Sequence, residues 1–400
     1  MNKKINYKLK TGYLDIEIEN INNNYEFNDL CDVSSRINKK RGFVFVSKVL
    51  GKHYPSKPLD MQKVHINLAH ELNKKIINKN KTLVIGFAET AIGIGQGVFE
   101  ELYNIFENAN ENLVFQHSTR FLTNEKIELL FEEEHCHAPS HIFYKFKNEN
   151  LEKIKNDIEN IVLVDDEVST GNTALNFIKE FQKKYPKVKK YYIVSILNWI
   201  SNENYHNIIN EAIKLNIEIE FINILKGTFS FSWNDNFNTT ITNKNIISIC
   251  SNQEKIKEKL SNVLKNNYGR YGIQKLNLNF ENYISKDDIK ILKNKKVLIL
   301  GTAEFMHIPY LLGKYLENNN IETYIQSTTR SPLNEDIIIN SKLEFKDNYF
   351  ENIDNFLYNV NKENDYDIIY ICYETNEIPK NHNLKNLLNK NNFKYKELFF

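Results

Sequence analysis

The sequence predicts an α/β protein with two domains, each built on a parallel sheet. Short apolar runs alternate with longer segments that show helical spacing; the runs are residues 43–46, 82–85, 113–116, 161–164, 191–196 and 217–224. Apolar strands separated by helices indicate a parallel sheet covered on both faces. A chain of 400 residues also exceeds one ordinary core. Ligands of such sheets gather where strands end, so the residues after each strand are the site candidates.

The helical segments and a second alternating block set the domain boundary. Helices are predicted at residues 60–79, 93–108, 173–184 and 309–318, and further strands at 296–300, 323–326 and 367–372. Residues 234–294 are polar and rich in Asn and Lys, which favours a boundary at their start. We therefore expect a first domain at 1–233, with a core of about 30–225, and a second at 234–400, with a core of about 268–376.

The two halves also repeat a local pattern. A strand ending in Gly86 leads to Ala88 and Glu89, and a strand ending in Gly301 leads to Ala303 and Glu304. In each half a helix and another strand follow, and that strand is followed by Arg120 or Arg330. We interpret the halves as two related β/α modules, by duplication or by convergence on one ligand; chance similarity between β/α units is the alternative.

The composition limits the classes of partner that the chain is expected to bind. Lysine and arginine number 52 against 51 acidic residues, so no broad basic face is expected and nucleic acid is not the default partner. The four cysteines are far apart and form no metal or disulfide pattern. No apolar run suits a signal peptide or a membrane span, so a cytoplasmic protein without membrane contact is expected.

The strongest motif follows the strand at residues 161–164. Two acids, Asp165 and Asp166, precede a turn and a helix that supply backbone N–H groups and hydroxyls; the turn and helix-start residues are Ser169, Thr170, Gly171, Asn172 and Thr173. Amides and a helix dipole aimed at one point form a site suited to a phosphate monoester. The acids suit the hydroxyls of an attached ribose or a cationic transition state. An ordinary strand-to-helix turn is the alternative.

This segment closely resembles the phosphoribosyl pyrophosphate motif of type I phosphoribosyltransferases. The resemblance implies that Asp165 and Asp166 hold the ribose and that residues 169–173 hold the 5′-phosphate. Purine-salvage members have an aspartate where Ser169 stands, so the sequence is more similar to the orotate-type branch. The resemblance also implies that the loop containing Ala88, Glu89 and Thr90 contacts the pyrophosphate.

Nearby cations and a loop complete the expected site. Arg120 can pair with the leaving diphosphate, and Lys48 and Lys52 can reach the diphosphate or an acidic acceptor; surface salt bridges and a solvated charge run are the alternatives.

By the same resemblance, residues 121–141 correspond to the segment that forms a mobile hood over the active site of type I enzymes, in which His135 or His137 can donate a proton or a hydrogen bond to pyrophosphate. These histidines with His141 could instead bind a transition metal, or lie in a polar surface loop. Mg²⁺ is expected to arrive with the diphosphate, with no metal held directly by protein.

The order of these motifs over roughly residues 30–376 resembles one group of proteins, the orotate-type phosphoribosyltransferases of bacterial tellurite-resistance and stress gene clusters. The C-terminal domain of that group is named for a Thr-Arg-Ser-Pro (TRSP) motif, which stands here at residues 329–332. The resemblance implies transfer of ribose 5-phosphate from phosphoribosyl pyrophosphate to a nitrogen acceptor, in synthesis of a nucleoside-like metabolite. The alternatives are a non-catalytic regulator that binds the same ligand, phosphorolysis in the reverse direction, and a metal-dependent hydrolase built on the histidines.

The second domain, expected to be Rossmann-like, repeats only part of the site. Its strand at 367–372 is followed by neither an acid pair nor a glycine. We expect a specialised module in which Glu304, His307 and Arg330 bind the acceptor or a second phosphorylated ligand, with the turn at 269–272 nearby; a purely structural half is the alternative. Small-molecule substrates are the expected partners, and a homodimer is the oligomeric state considered.

Overall fold

The computed structural model describes residues 3–36, 38, 41–76, 80–131, 141–234, 253–361 and 366–400. In its first half the elements are, in chain order, β1 (Lys3–Lys8), β2 (Gly12–Ile21), α1 (Phe27–Leu30), β3 (Cys31–Ser35), β4 (Phe43–Ser47), α2 (Pro58–Lys75), β5 (Thr82–Gly86), α3 (Ile92–Ile105), α4 (Ala109–Asn112), β6 (Leu113–His117), β7 (Ile127–Phe131), β8 (His141–Tyr144), α5 (Glu149–Asn156), β9 (Asn160–Val168), α6 (Asn172–Lys184), β10 (Lys190–Asn198), α7 (Asn202–Leu215) and β11 (Glu218–Trp233).

The second half has a similar alternation. Its elements are α8 (Gln253–Val263), a short 3-10 turn (Phe280–Asn282), α9 (Lys286–Leu292), β12 (Lys296–Gly301), α10 (His307–Asn318), β13 (Glu322–Ser327), β14 (Lys342–Lys346), β15 (Asp354–Tyr358), β16 (Ile368–Tyr373), α11 (Leu384–Lys390) and β17 (Tyr395–Phe399). Among the described helices, none combines the length and apolar composition needed to cross a membrane.

Parallel strands form the centre of both sheets. The first sheet has the order β1-β2-β11-β10-β9-β5-β6, in which the five strands from β11 to β6 are parallel. The second has the order β13-β12-β16-β17 and is parallel throughout. Every residue of β5 and β6 is buried, as expected for apolar runs covered on both faces. The predicted α/β class with a parallel-dominated sheet is confirmed.

Several local predictions were wrong or incomplete. The run at 43–46 lies outside the parallel sheet, because β4 pairs antiparallel with β3 in a separate hairpin. The antiparallel hairpin β1–β2, with its alternating burial, extends the sheet beyond β11 and was not foreseen. β9 runs further than expected and includes both predicted site acids. The polar stretch at 234–294 contains α8 and α9 among its described residues.

In each half a short segment, called an arm here, pairs with an edge strand in the sheet of the other half. The first arm, residues 51–56, pairs with edge strand β13 through Ser56 and Ile325, whose amides donate to each other's carbonyls at 2.9 and 2.8 Å. The second arm, residues 269–273, pairs with edge strand β6 through Ile273 and Phe115 at 2.8 and 2.9 Å. Helix α10 also packs against α2 and α3. The two sheets are therefore joined through a shared layer of helices and two reciprocal arms.

Candidate active site at the carboxyl ends of β5 and β9

The turn between β9 and α6 has the shape expected of an anion site. Gly171 is the N-cap of α6 and has φ +77°, and an added Cβ would lie 2.5 Å from Ile208 Cδ1, so only glycine fits. The N-cap residue itself, being glycine, has no side chain to accept from the first-turn amides. Its first-turn amides and positive dipole end are therefore directed at the turn containing Ser169 and Thr170. Thr170 Oγ1 accepts from the Asn172 amide at 3.3 Å, and the side chain of Thr173 is half-buried.

Three consecutive acids at the end of β9 have different surroundings. Asp165 and Asp166 are half-buried, and Asp166 Oδ1 accepts from Thr90 Oγ1 at 2.6 Å. Glu167 instead forms an ion pair with Arg41, with 2.6 Å between Oε1 and Nη2. Burial raises the pKa of Glu167, although the charge of Arg41 opposes this rise. The sequence interpretation gave Glu167 and Arg41 no role, because no local pattern links residues so far apart in the chain.

The loop after β5 lies beside these acids because β5 and β9 are neighbours in the sheet. Phe87 donates its amide to Val164 at 3.1 Å, and Ala88 donates its amide to Ser118 Oγ at 2.9 Å. The peptide bond between Ala88 and Glu89 is cis. Together with the Thr90–Asp166 hydrogen bond, these contacts bring the predicted pyrophosphate loop and the predicted ribose acids to one edge of the sheet.

Cations from both halves surround the Glu89 carboxylate. Lys52 Nζ lies 2.6 Å from Oε1, and Arg330 Nε lies 3.9 Å from Oε2. Burial would raise the pKa of Glu89, but the charges of Lys52 and Arg330 outweigh it and lower that pKa. Lys52, whose side chain is 1% exposed, also donates to Ala303 O at 2.7 Å. Arg330 forms a second ion pair with Glu351.

The remaining first-half candidates are more scattered. Arg120 is buried beside the loop, with Nη2 3.5 Å from Ala88 O. Lys48 contacts the base of the β3–β4 hairpin, where Nζ donates to Asn28 O at 2.9 Å and lies 3.7 Å from Asp32. His135 and His137 lie outside the described residues. In the parts of the chain that the structure describes, no group of three His, Cys, Asp or Glu residues could hold a metal ion.

The second-half candidates are engaged within the protein. Glu304 accepts from the Arg120 amide at 2.6 Å and from Thr119 Oγ1 at 2.5 Å. His307 is buried, with Nε2 2.8 Å from Glu100 Oε1. These two residues and Arg330 all contact first-half residues, so the structure brings them to the contact between the halves.

A buried ion network fills the end of the second sheet. Arg270 Nη2 lies 3.0 Å from Glu374 Oε1 and 3.5 Å from Glu304 Oε2, and these three side chains are no more than 4% exposed. Tyr349 donates its hydroxyl to Glu374 at 2.9 Å. The turn at 269–272, which contains Arg270, was expected near this site, but neither Arg270 nor Glu374 was named as a site residue; the two glycines of the turn both have positive φ.

Comparison with known proteins identifies both halves. Residues 30–228 match a family model described as phosphoribosyl transferase, and residues 267–390 match one described as the TRSP domain C-terminal to that family. No curated protein matches the chain.

Among solved structures, adenine phosphoribosyltransferase from Leishmania donovani aligns at 14% identity over 51% of this chain and 81% of its own, with a TM-score of 0.34. The adenine phosphoribosyl transferase from Trypanosoma brucei, in complex with AMP, pyrophosphate and ribose-5-phosphate, aligns at 13% identity over 52% of this chain and 82% of its own, with a TM-score of 0.34. A hypoxanthine phosphoribosyltransferase from Staphylococcus aureus aligns at 14% identity over 38% of this chain and 68% of its own, with a TM-score of 0.25. With the two family models matched in this order, the chain is a phosphoribosyltransferase, a glycosyltransferase-type enzyme, whose C-terminal half carries a TRSP domain.

Proposed function

We propose that the chain transfers ribose 5-phosphate from phosphoribosyl pyrophosphate to a nitrogen acceptor, releasing diphosphate, in the synthesis of a nucleoside-like metabolite. One observation carries this proposal. The glycine-capped start of α6, two half-buried acids and the loop of Ala88, Glu89 and Thr90 meet at one edge of the sheet. A phosphate, a ribose and a diphosphate follow one another in the same order along the substrate.

The cradle would hold the 5′-phosphate and the acids would hold the sugar. The amides and hydroxyls of residues 169–173 surround the positive end of α6, which favours a dianion. Asp165 and Asp166 follow on the preceding strand and accept hydrogen bonds from ribose hydroxyls in this proposal. When the C1′–O bond breaks, diphosphate leaves with the electron pair and positive charge develops on the ribosyl ring. Two fixed carboxylates stabilise that charge more than they stabilise the neutral ring.

The diphosphate would lie over the loop at the end of β5. Thr90 ties this loop to Asp166, and Lys52 and Arg120 supply positive charge beside it. Lys48 and the hood histidines, His135 and His137, are proposed as further contacts. The acceptor nitrogen attacks C1′ and its proton passes to the released diphosphate, to which a hood histidine donates a hydrogen bond.

Mg²⁺ is the proposed cofactor, and the residues present fit it. The half-buried carboxylates of Asp165 and Asp166, which hold the ribose in this proposal, place negative charge beside the proposed diphosphate position, and a Mg²⁺ carried by the diphosphate would offset that charge. Bound with the diphosphate, Mg²⁺ would neutralise the charge of the leaving group. The cation is proposed to arrive with the substrate rather than to reside in the protein.

We further propose a domain boundary near residue 234, a Rossmann-like second domain, and a cytoplasmic enzyme, considered as a homodimer, that acts on small molecules in tellurite-resistance or stress metabolism. The support is the sequence resemblance described above, together with the matched family models on either side of the boundary.

A direct experiment is to incubate the protein with phosphoribosyl pyrophosphate, Mg²⁺ and a pool of cell metabolites, and to follow diphosphate and new ribosylated products by mass spectrometry. Asp165→Asn with Asp166→Asn is the control and should abolish release. Unchanged release in this double variant would show that the ribose site is misassigned. Tight binding of phosphoribosyl pyrophosphate without turnover for any acceptor would instead indicate the non-catalytic regulator.

A further inference from the structure

The cations around Glu89 come from both halves of the chain. Lys52 belongs to the first arm, whereas Arg330 belongs to the Thr-Arg-Ser-Pro motif of the second half. Both point their charge at the carboxylate of a loop residue that lies next to the proposed substrate. The side chains of Glu89 and Arg330 are each 14% exposed, and Lys52 lies beneath them at 1%. Glu89 therefore lies between a partly exposed guanidinium and a fully buried ammonium.

A buried lysine needs an anion close by, because an ammonium removed from water without a partner is costly. Glu89 meets that need at 2.6 Å, and the Ala303 carbonyl contributes a second acceptor at 2.7 Å. Arg330 is held from its other side by Glu351 and lies over the Phe121 ring, 5.0 Å from the centroid. The guanidinium is thus fixed in place while one edge faces Glu89, and a fixed guanidinium can bind phosphate oxygens with little loss of entropy.

From this arrangement we infer that Arg330 and Lys52 form a diphosphate subsite shared by both halves, and that the Glu89 carboxylate occupies it until the substrate's diphosphate takes its place. This inference rests on the proposed function and adds a residue of the TRSP domain to the first-half site. It also gives the second half a direct part in substrate binding.

Titration calorimetry on the full chain can test the inference with three probes: Mg²⁺-pyrophosphate, Mg²⁺-phosphoribosyl pyrophosphate and ribose 5-phosphate. Arg330→Gln should weaken the two diphosphate probes roughly 10- to 100-fold, as expected for loss of charge-assisted hydrogen bonds. Ribose 5-phosphate, which does not reach this subsite, should bind as before. The opposite sign is expected for Glu89→Gln, which removes the competing carboxylate and should tighten pyrophosphate binding roughly 10-fold.

A matched control is Lys314→Gln. Lys314 of α10 and Glu101 of α3 form another ion pair between the halves, at 3.7 Å with side chains 21% and 16% exposed. Glu101 lies nine residues beyond Ile92, the first residue of α3, which is about 14 Å further along the helix axis. This variant also removes one cation and one link between the halves, yet its affinity for all three probes should equal that of the wild type.

Two outcomes would overturn the inference: equal affinity for pyrophosphate in Arg330→Gln and wild type, or equal loss of affinity for pyrophosphate and ribose 5-phosphate. If Arg330→Gln does not fold, Glu89→Gln decides alone, because weaker pyrophosphate binding in that variant contradicts the competing role. Failure of the proposed function has a different signature. A wild-type protein that binds pyrophosphate but neither ribose 5-phosphate nor phosphoribosyl pyrophosphate would contradict the proposed transferase function, but it would not contradict the diphosphate subsite.

Discussion

The two strand–helix–strand modules of this chain share a framework but differ at the end of the sheet. Gln116 Nε2 donates to Tyr144 O at 2.7 Å and to Arg270 O at 3.0 Å; Gln326 Nε2 donates to Tyr358 O at 2.8 Å and reaches Lys52 O at 3.5 Å. The glutamines, the tyrosines and the arm cations are therefore equivalent between the modules. Such detailed correspondence supports our interpretation of two related units.

The acids at the strand ends show where the two modules differ. Strand register pairs Ile85 with Leu163 and Leu300 with Ile371, which makes Glu374 the counterpart of Asp166. Asp166 is half-buried and contacts a loop hydroxyl, whereas Glu374 is buried against Arg270. An equivalent carboxylate thus lies at the proposed substrate site in one module and against an internal cation in the other. The difference teaches that one framework can either expose charge for binding or neutralise it for stability.

The largest expected effect is on catalysis and tests the half-buried acid Asp166. Asp166→Asn should lower the rate of diphosphate release by roughly 10² to 10³-fold, or about 3 to 4 kcal/mol of transition-state stabilisation, because a charge facing the cationic centre is lost. Thermal unfolding should change little, since Asn can still accept from Thr90. Turnover and melting temperature measured on the same preparation check this; a large loss of stability with normal turnover would reverse the comparison.

Its counterpart in the second module should respond in the opposite way. Glu374→Gln leaves Arg270 buried with Glu304 as its remaining carboxylate at 3.5 Å. The free energy of unfolding should fall by about 3 kcal/mol, the lower end of the range for breaking a buried ion pair. Urea denaturation measures the loss. Affinity for ribose 5-phosphate should be retained at temperatures where the variant is folded, and its disappearance would assign Glu374 to the binding site.

A third test uses Glu351, which lies between β14 and β15. Its pKa is about 7 in the folded chain against 4.5 unfolded, chiefly because of burial, so the folded state binds more protons in this interval. Its contribution to stability is therefore greatest below pH 4.5 and is lost as pH rises through 7. Compared with Glu351→Gln, the wild type should lose about 2 kcal/mol more of its unfolding free energy between pH 5 and pH 8. Parallel pH dependences would show that Glu351 is ionised throughout.

The smallest effect concerns the cradle glycine, which has no counterpart after β16. Gly171→Ala forces a side chain into positive φ and against Ile208, and should cost about 1 to 2 kcal/mol. Ribose 5-phosphate affinity should fall with it because the turn must shift. Chemical denaturation and calorimetry measure the two quantities; an unaltered affinity would mean that the turn does not hold the phosphate.

The sequence predicts the parts of this molecule that depend on neighbours in the chain. The central strands β5, β6 and β9 follow from apolar runs, and the cradle follows from one contiguous segment with Gly171 at its turn. Contacts between distant residues leave no such pattern. The Arg330–Glu89 approach, the Arg41–Glu167 pair and the Arg270–Glu374 pair all depend on the packing of the two halves or of separate hairpins, which periodicity does not reveal.

The reciprocal arms have a consequence for synthesis on the ribosome. Strand β6 is an edge of its sheet, and the residue that covers Phe115 is Ile273, which is made much later. At ordinary translation rates the nascent first half would present this edge uncovered for roughly ten to thirty seconds. An open edge is a template for pairing with other chains, so truncated products that end before the second arm should be prone to aggregate.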